Sequence, residues 1–230
     1  TELPPVPQWG FDLVEEPWGA NPSLSFSEVN FTTVLLTPAN FIQYQPDTNP
    51  YDGDNPTNTT PLAETLTLID WIVEQEPDAD IYIYENWPAL EAYDFPPNQD
   101  QMAEYHSETL TNFHSWWQTY HDNVREARPD LNIRMIPVGP IISTVLTNTE
   151  LRNIAAADLY EDDAPHGRPT IYFLAGLITY MATYGVEAPS DFAVPNTVHS
   201  DVQTYYDDIV MTIWNALHTY TTANGTSRVF

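Results

Sequence analysis

Three short apolar runs punctuate the chain: Thr33-Val34-Leu35-Leu36, Ile81-Tyr82-Ile83-Tyr84 and Ile133-Arg134-Met135-Ile136. Each is rich in β-branched or aromatic residues and ends in turn or polar positions, the mark of a short strand. More than forty residues separate each run from the next, and each gap carries a helical period. In the first gap Leu62, Leu66, Ile69 and Val73 recur at helical spacing over residues 61–76, with Pro77 as the stop. In the second, Met102, Tyr105, Leu110, Phe113, Trp117, Tyr120 and Val124 do so over residues 101–128. Strand, helix, strand, helix, strand predicts an α/β fold with a parallel sheet flanked by helices.

Downstream, the pattern predicts a short helix near residues 141–146, an irregular stretch to Asp163, and a helix over 169–184 that Gly185 stops. A last helix is expected over 198–222, with Val202, Tyr205, Ile209, Ile213, Trp214 and Leu217 along one stripe. The uncharged stretch 169–186 holds three threonines and three tyrosines and is short for a span, so a buried helix explains it better than a membrane. Proline-rich segments at 3–7, 46–61 and 88–97 read as loops. None reads as a linker and no repeat is visible, so residues 1–230 are expected to form one domain.

Composition narrows the functional classes. Hydrophobic residues make up 42% of the chain, enough for a real core. Acidic side chains number 33 against six basic ones, a formal charge of −27, and all six bases are arginines. Such a surface repels phosphate backbones and anionic lipid, so neither nucleic acid nor membrane is an expected partner. It suits a secreted, extracellular protein. Without cysteine there is neither a disulfide framework nor a thiolate metal site. The chain opens at Thr1 with no charged-then-apolar leader, which is read as a processed product. Sequons stand at Asn30, Asn58 and Asn224, in a chain whose wealth of Asn and Thr produces them by chance.

In an open parallel sheet ligands bind beyond the carboxyl ends of the strands. That rule selects Thr37-Pro38-Ala39-Asn40, Glu85-Asn86-Trp87-Pro88 and Pro137-Val138-Gly139-Pro140, joined by Asp162, Asp163 and His166 ahead of the 169–184 helix. In Asp163-Ala164-Pro165-His166 a carboxylate three residues before an imidazole can hold Nδ1–H and leave the other nitrogen outward as a general base.

The segment Leu159-Tyr160-Glu161-Asp162-Asp163-Ala164-Pro165-His166-Gly167, followed by Ile171-Tyr172-Phe173-Leu174-Ala175-Gly176-Leu177 and closing at Tyr184-Gly185, resembles the last block of the SGNH (GDSL-type) hydrolases. Val34-Leu35-Leu36-Thr37-Pro38-Ala39-Asn40 resembles the family's third block. Arg134-Met135-Ile136-Pro137-Val138-Gly139-Pro140 is similar to the strand before the His loop in carbohydrate-directed members. The resemblance spans about residues 34–185 and rests on order and spacing. It implies a three-layer α/β/α, flavodoxin-like fold and hydrolysis of a carboxylic ester, an acetyl group on a carbohydrate being one fitting substrate, without metal or organic cofactor. His166 would be the base, Asp163 its orienting partner and Asn40 an oxyanion donor, a contact typically worth about 3 kcal/mol.

The family's Gly-Asp-Ser block, which carries the nucleophile, has no counterpart here. Ser23, Ser25 and Ser27 precede what corresponds to the family's third strand and are misplaced for the role. The resemblance therefore implies that the nucleophile and the N-terminal strands lie on a preceding segment of the same precursor, cleaved or absent from this chain. The rival expectation is a catalytically inactive relative serving as an extracellular binding or structural protein.

Other groups read more plainly. Glu85 and Trp87 are expected to line or brace the pocket, ahead of a reading in which Glu85 and Asp163 are a glycosidase's carboxylates. Asp47, Asn49, Asp52, Asp54 and Asn55 read as a solvated acidic loop rather than a calcium site. His106, His114 and His121 are spaced too widely for chelation on one helix and are assigned to packing or surface. Trp116 and Trp117 are assigned to the helix–sheet interface.

Overall fold

A computed structural model describes residues 26–37, 43, 45–52, 55–164 and 166–230. The protein is mixed α/β with a small three-stranded parallel sheet. The strands are β1 (Thr33–Leu36), β2 (Asp80–Glu85) and β3 (Ile133–Pro137), in the order β1-β2-β3. Thr33 pairs with Asp80 and Leu36 with Ile83. The helices are α1 (Phe26–Val29), α2 (Pro61–Gln75), α3 (Gln99–Glu108), α4 (His114–Ala127), α5 (Val138–Asn148), α6 (Ala156–Leu159), α7 (Pro169–Tyr184), α8 (Ser200–Thr204) and α9 (Tyr206–Thr219). The chain divides into two compact units, residues 1–83 with 118–134 and residues 84–117 with 135–230, and the division runs through β2, α4 and β3.

In the first unit α2 starts where the sequence directs. Thr60 accepts the Ala63 N–H at 3.1 Å, and Pro61 occupies the first helical position, where a missing N–H costs nothing. Leu68, Ile69 and Ile72 of α2, Ile81 and Ile83 of β2, and Tyr120 and Val124 of α4 are buried. Arg128 grips Asp70 through Nε at 2.6 Å and through Nη2. In the 47–55 loop Asn49 and Asp52 are exposed, as expected of a solvated loop, but Asp47 is buried and its carboxylate accepts from Asn123 Nδ2 at 3.0 and 2.9 Å. Asn55 spends its side chain on Tyr51 and Thr59.

In the second unit α3 begins with a capping box between Asn98 and Gln101. A π-turn, Thr109–Phe113, interrupts what the period predicts as one continuous helix. α5 begins at Val138, earlier than expected, because Pro140 lies in the first turn, where no intrahelical N–H is needed. α7 matches its predicted bounds, with Gly185 closing it at φ 64°, a conformation that favours glycine. The predicted 198–222 helix is instead α8 and α9, parted at Tyr205 (φ −112°, ψ 25°). After Thr219 the chain folds back as a hairpin bridged by Thr221 and Ser227.

That hairpin serves the sheet: Met135 donates its N–H to the Arg228 carbonyl at 2.7 Å, so the C-terminal segment occupies backbone that β3 would otherwise present at an edge. β1 ends the strand order on the other side among the described residues, and its Leu35 is 39% exposed. No helix among the described residues is long and apolar enough to cross a membrane.

Candidate functional site

Residues 160–167 form a tight hairpin ahead of α7. Tyr160 and Gly167 make an antiparallel bridge, Glu161 N–H donates to the His166 carbonyl at 2.9 Å, and Arg168 N–H donates to the Leu159 carbonyl at 2.7 Å. Arg168 Nε reinforces the base by donating to the carbonyls of Ala157 and Tyr160. Closing the hairpin this way brings residue 162 beside residue 166. His166 Nδ1 therefore lies 2.8 Å from Asp162 Oδ2, not against the Asp163 carboxylate that the D-x-x-H spacing suggests. Asp163 is exposed, and its main-chain carbonyl accepts the Leu90 N–H at 2.7 Å, tying the His loop to the segment that follows β2. The hydrogen bond and charge of Asp162 push the His166 pKa up. The two side chains are 62% and 46% exposed. Asn40, the expected oxyanion donor, lies outside the described residues, as do Ser23 and Ser25.

The segment after β2 is pinned from behind. Trp87 is buried, with its ring edge-on to Tyr172 of α7 at 6.1 Å. Gly139, in the first turn of α5, passes so close that a Cβ there would sit 2.3 Å from the Asn86 carbonyl oxygen and 2.9 Å from Trp87 Cα. Trp87 thus braces this edge, one of the two roles expected of it.

Glu85 ends β2 with its side chain wholly buried, and its partner is His114. His114 Nδ1 lies 2.9 and 3.0 Å from the two carboxylate oxygens. His114 directly follows the π-turn, which widens the helix by one residue per turn and resets the direction of every side chain after it. The C-terminal hairpin adds Arg228, whose positive charge acts on Glu85, and Tyr220, whose ring lies 5.2 Å from that of His114. Burial raises the Glu85 pKa and His114 and Arg228 lower it; burial wins and pushes it up to about 7. His114, though not the buried Glu85, borders a cleft of about 500 Å³ lined in part by Pro140, Thr144, Asn215 and Tyr220. A carboxyl group so placed can gain or lose a proton near neutral pH.

The sequence singles out Glu85 but assigns His114 to packing or surface, without naming its partner. The available signal was Glu85 itself: a carboxylate closing a buried strand requires a partner. The partner's identity depended on the π-turn, which the helical period hides.

No family model, curated protein or solved structure matches this chain. The geometry of its own side chains therefore carries the functional argument. Among the described residues no group of three or more His, Cys, Asp or Glu side chains could hold a metal ion.

The buried Glu85 carboxyl makes stability depend on pH. Because its folded pKa lies above the ordinary 4.5, its contribution is complete below about pH 4.5 and is lost as the pH rises through about 7. His106 acts in the opposite sense. Burial pulls its pKa from 6.5 to about 4, so its contribution is present above 6.5 and is lost as the pH falls through 4. Between about 4.5 and 6.5 the two slopes oppose each other. Glu85→Gln removes only the first, so the stability difference between variant and wild type should move in the variant's favour by up to about 3 kcal/mol from pH 5 to pH 8. Urea unfolding at the two pH values measures it, and a pH-independent difference would contradict the assignment.

Proposed function

We propose that this chain is the larger, C-terminal part of a secreted three-layer α/β/α hydrolase of the SGNH type, acting on a carboxylic ester such as an acetylated carbohydrate. His166 is the general base, with Asp162 holding Nδ1 and the Asp163 carbonyl fixing the loop to the segment after β2. The nucleophilic serine comes from a segment of the same precursor that precedes this chain, and Asn40 donates to the oxyanion. In the chemical step His166 Nε2 takes the serine hydroxyl proton as the oxygen attacks the ester carbonyl. It then passes that proton to the departing alcohol, and water releases the acid by the same route in reverse.

The observation that carries the reading is the carboxylate-held imidazole on the loop before α7, tied by Leu90 and Asp163 to the segment beyond β2. The parallel order β1-β2-β3 supports it as well, with β1 last in the row among the described residues. Hydrolysis of 4-nitrophenyl acetate and of acetylated xylo-oligosaccharides by the full precursor tests the reading; release of neither nitrophenolate nor acetate would refute it.

One observation favours the rival reading, an inactive binding or structural protein. His166 is largely exposed, and among the described residues no serine hydroxyl lies within hydrogen-bond distance of it.

A further inference from the structure

The cavity between α3 and the segment after α5 is lined by none of the residues assigned to ester hydrolysis and has an unusual wall. It measures about 540 Å³ and is bordered by Met102 and His106 of α3, Leu146 of α5, and Leu151, Arg152 and Ile154 that follow it. This volume is of the size that holds a small organic ligand. The lining is mostly apolar or uncharged, and Arg152 is its one charged residue. In a chain with six arginines against 33 acidic side chains, a cavity whose only charge is positive is a local reversal of the overall field.

His106 is the second signal. The residue is 94% buried (relative exposure 6%), and Nδ1 lies 3.0 Å from Ser143 Oγ. No other hydrogen bond of its ring is found among the described residues. The ring borders the cavity, so a ligand there can meet its second nitrogen. With the Ser143 hydroxyl donating to Nδ1, the ring carries its proton on Nε2 and offers a donor. Burial keeps the ring neutral through ordinary pH, so it offers that donor without a charge of its own. Arg152 is more than half exposed, and its one ion-pair partner among the described residues is Glu150, 3.5 Å away on the same short turn. An exposed pair of this kind is weak and easily exchanged for another anion.

We propose that this cavity binds a small monocarboxylate with an apolar tail. The carboxylate pairs with the Arg152 guanidinium and accepts from His106 Nε2–H, while the tail lies against Met102, Leu146 and Leu151. The site stands independently of the ester-hydrolase reading. Shape alone would admit any apolar molecule; the single cation and the uncharged donor select an anion with two acceptor oxygens.

Isothermal titration of the intact protein with sodium hexanoate at low ionic strength tests the site. Saturable binding is expected, with 1-hexanol at least tenfold weaker. Arg152→Gln, at an exposed side chain that leaves the core intact, should weaken hexanoate about tenfold and leave 1-hexanol unchanged. His106→Gln should weaken hexanoate further, and His166→Ala should leave hexanoate binding at the wild-type value. Absence of saturable hexanoate binding, or equal affinity for hexanoate in wild type and Arg152→Gln, would overturn the proposal. Loss of hexanoate binding in His166→Ala would overturn the independence of the two sites, while leaving the assignment of the base to be judged by turnover alone.

Discussion

His166→Ala is expected to lower ester hydrolysis by the full precursor about a thousandfold or more while leaving thermal unfolding unchanged. A positioned general base contributes roughly 10²–10⁴-fold by itself, and loss of a base that activates a nucleophile disables the whole unit. The fold has no stake in this side chain, which is 62% exposed and holds no core contact. The two aspartates separate the geometry from the spacing rule. Asp162→Asn should cost about a hundredfold or more through loss of the carboxylate at Nδ1, and Asp163→Asn should cost much less, since that residue contributes its carbonyl to Leu90. Steady-state turnover of 4-nitrophenyl acetate measures all three. Equal activity in wild type and His166→Ala would remove the assigned base, and a larger loss in Asp163→Asn than in Asp162→Asn would restore the partner that the spacing suggests.

Gly139→Ala is expected to produce the largest loss of stability among single methyl additions considered for this chain. The added Cβ would lie 2.3 Å from the Asn86 carbonyl oxygen, and that atom is main chain, held by β2 on one side and buried Trp87 on the other. Overpacking against movable side chains costs about 1–3 kcal/mol, and here the obstacle is backbone, so a loss of about 3 kcal/mol or more is expected. For a chain of this length that corresponds to a fall in Tm of roughly 6–12 °C. Gly167→Ala is a useful control, because its nearest obstacle is the Ile171 side chain at 2.7 Å and a side chain can shift. It should cost less than Gly139→Ala. Calorimetry decides the matter, and a Gly139→Ala protein melting within about 2 °C of wild type would contradict the close approach of α5 to the segment after β2.

Elements with strong local period were legible in the sequence. The three strands, α2, α7 and the combined span of α3 and α4 carry their pattern in the alternation or helical spacing of their own apolar residues, and caps such as Thr60 and Gly185 mark their ends. What escaped depends on contacts between distant residues. A π-turn adds one residue to a helix without changing its composition, so nothing in residues 109–113 announces it, yet it sets the direction of His114. The break at Tyr205 leaves the apolar stripe of 202–217 intact and is invisible to it. The C-terminal hairpin follows from the need to cover β3, and it brings Arg228 to Glu85 across more than a hundred residues of chain.

The site was legible in the same uneven way. Glu85, Trp87 and His166 were all picked out by their place at strand ends or before a helix. The choice between Asp162 and Asp163 was not, because both spacings are compatible with an imidazole and only the closure of the 160–167 hairpin selects one. The pairing of His114 with Glu85 was hidden for a related reason. Intervals of eight and seven residues along an uninterrupted helix separate three histidines, but the helix is interrupted, and the three end with unrelated partners: Ser143, Glu85 and the Ile133 carbonyl.

Labelling of the full precursor with a fluorophosphonate, followed by peptide mass spectrometry, bears most directly on the assignment of His166 as the base of a serine hydrolase. One serine N-terminal to Thr1 should be phosphonylated, and its labelling should fall by at least a hundredfold in His166→Ala. Labelling that is absent, or that proceeds as fast in His166→Ala as in wild type, would mean that His166 activates no nucleophile.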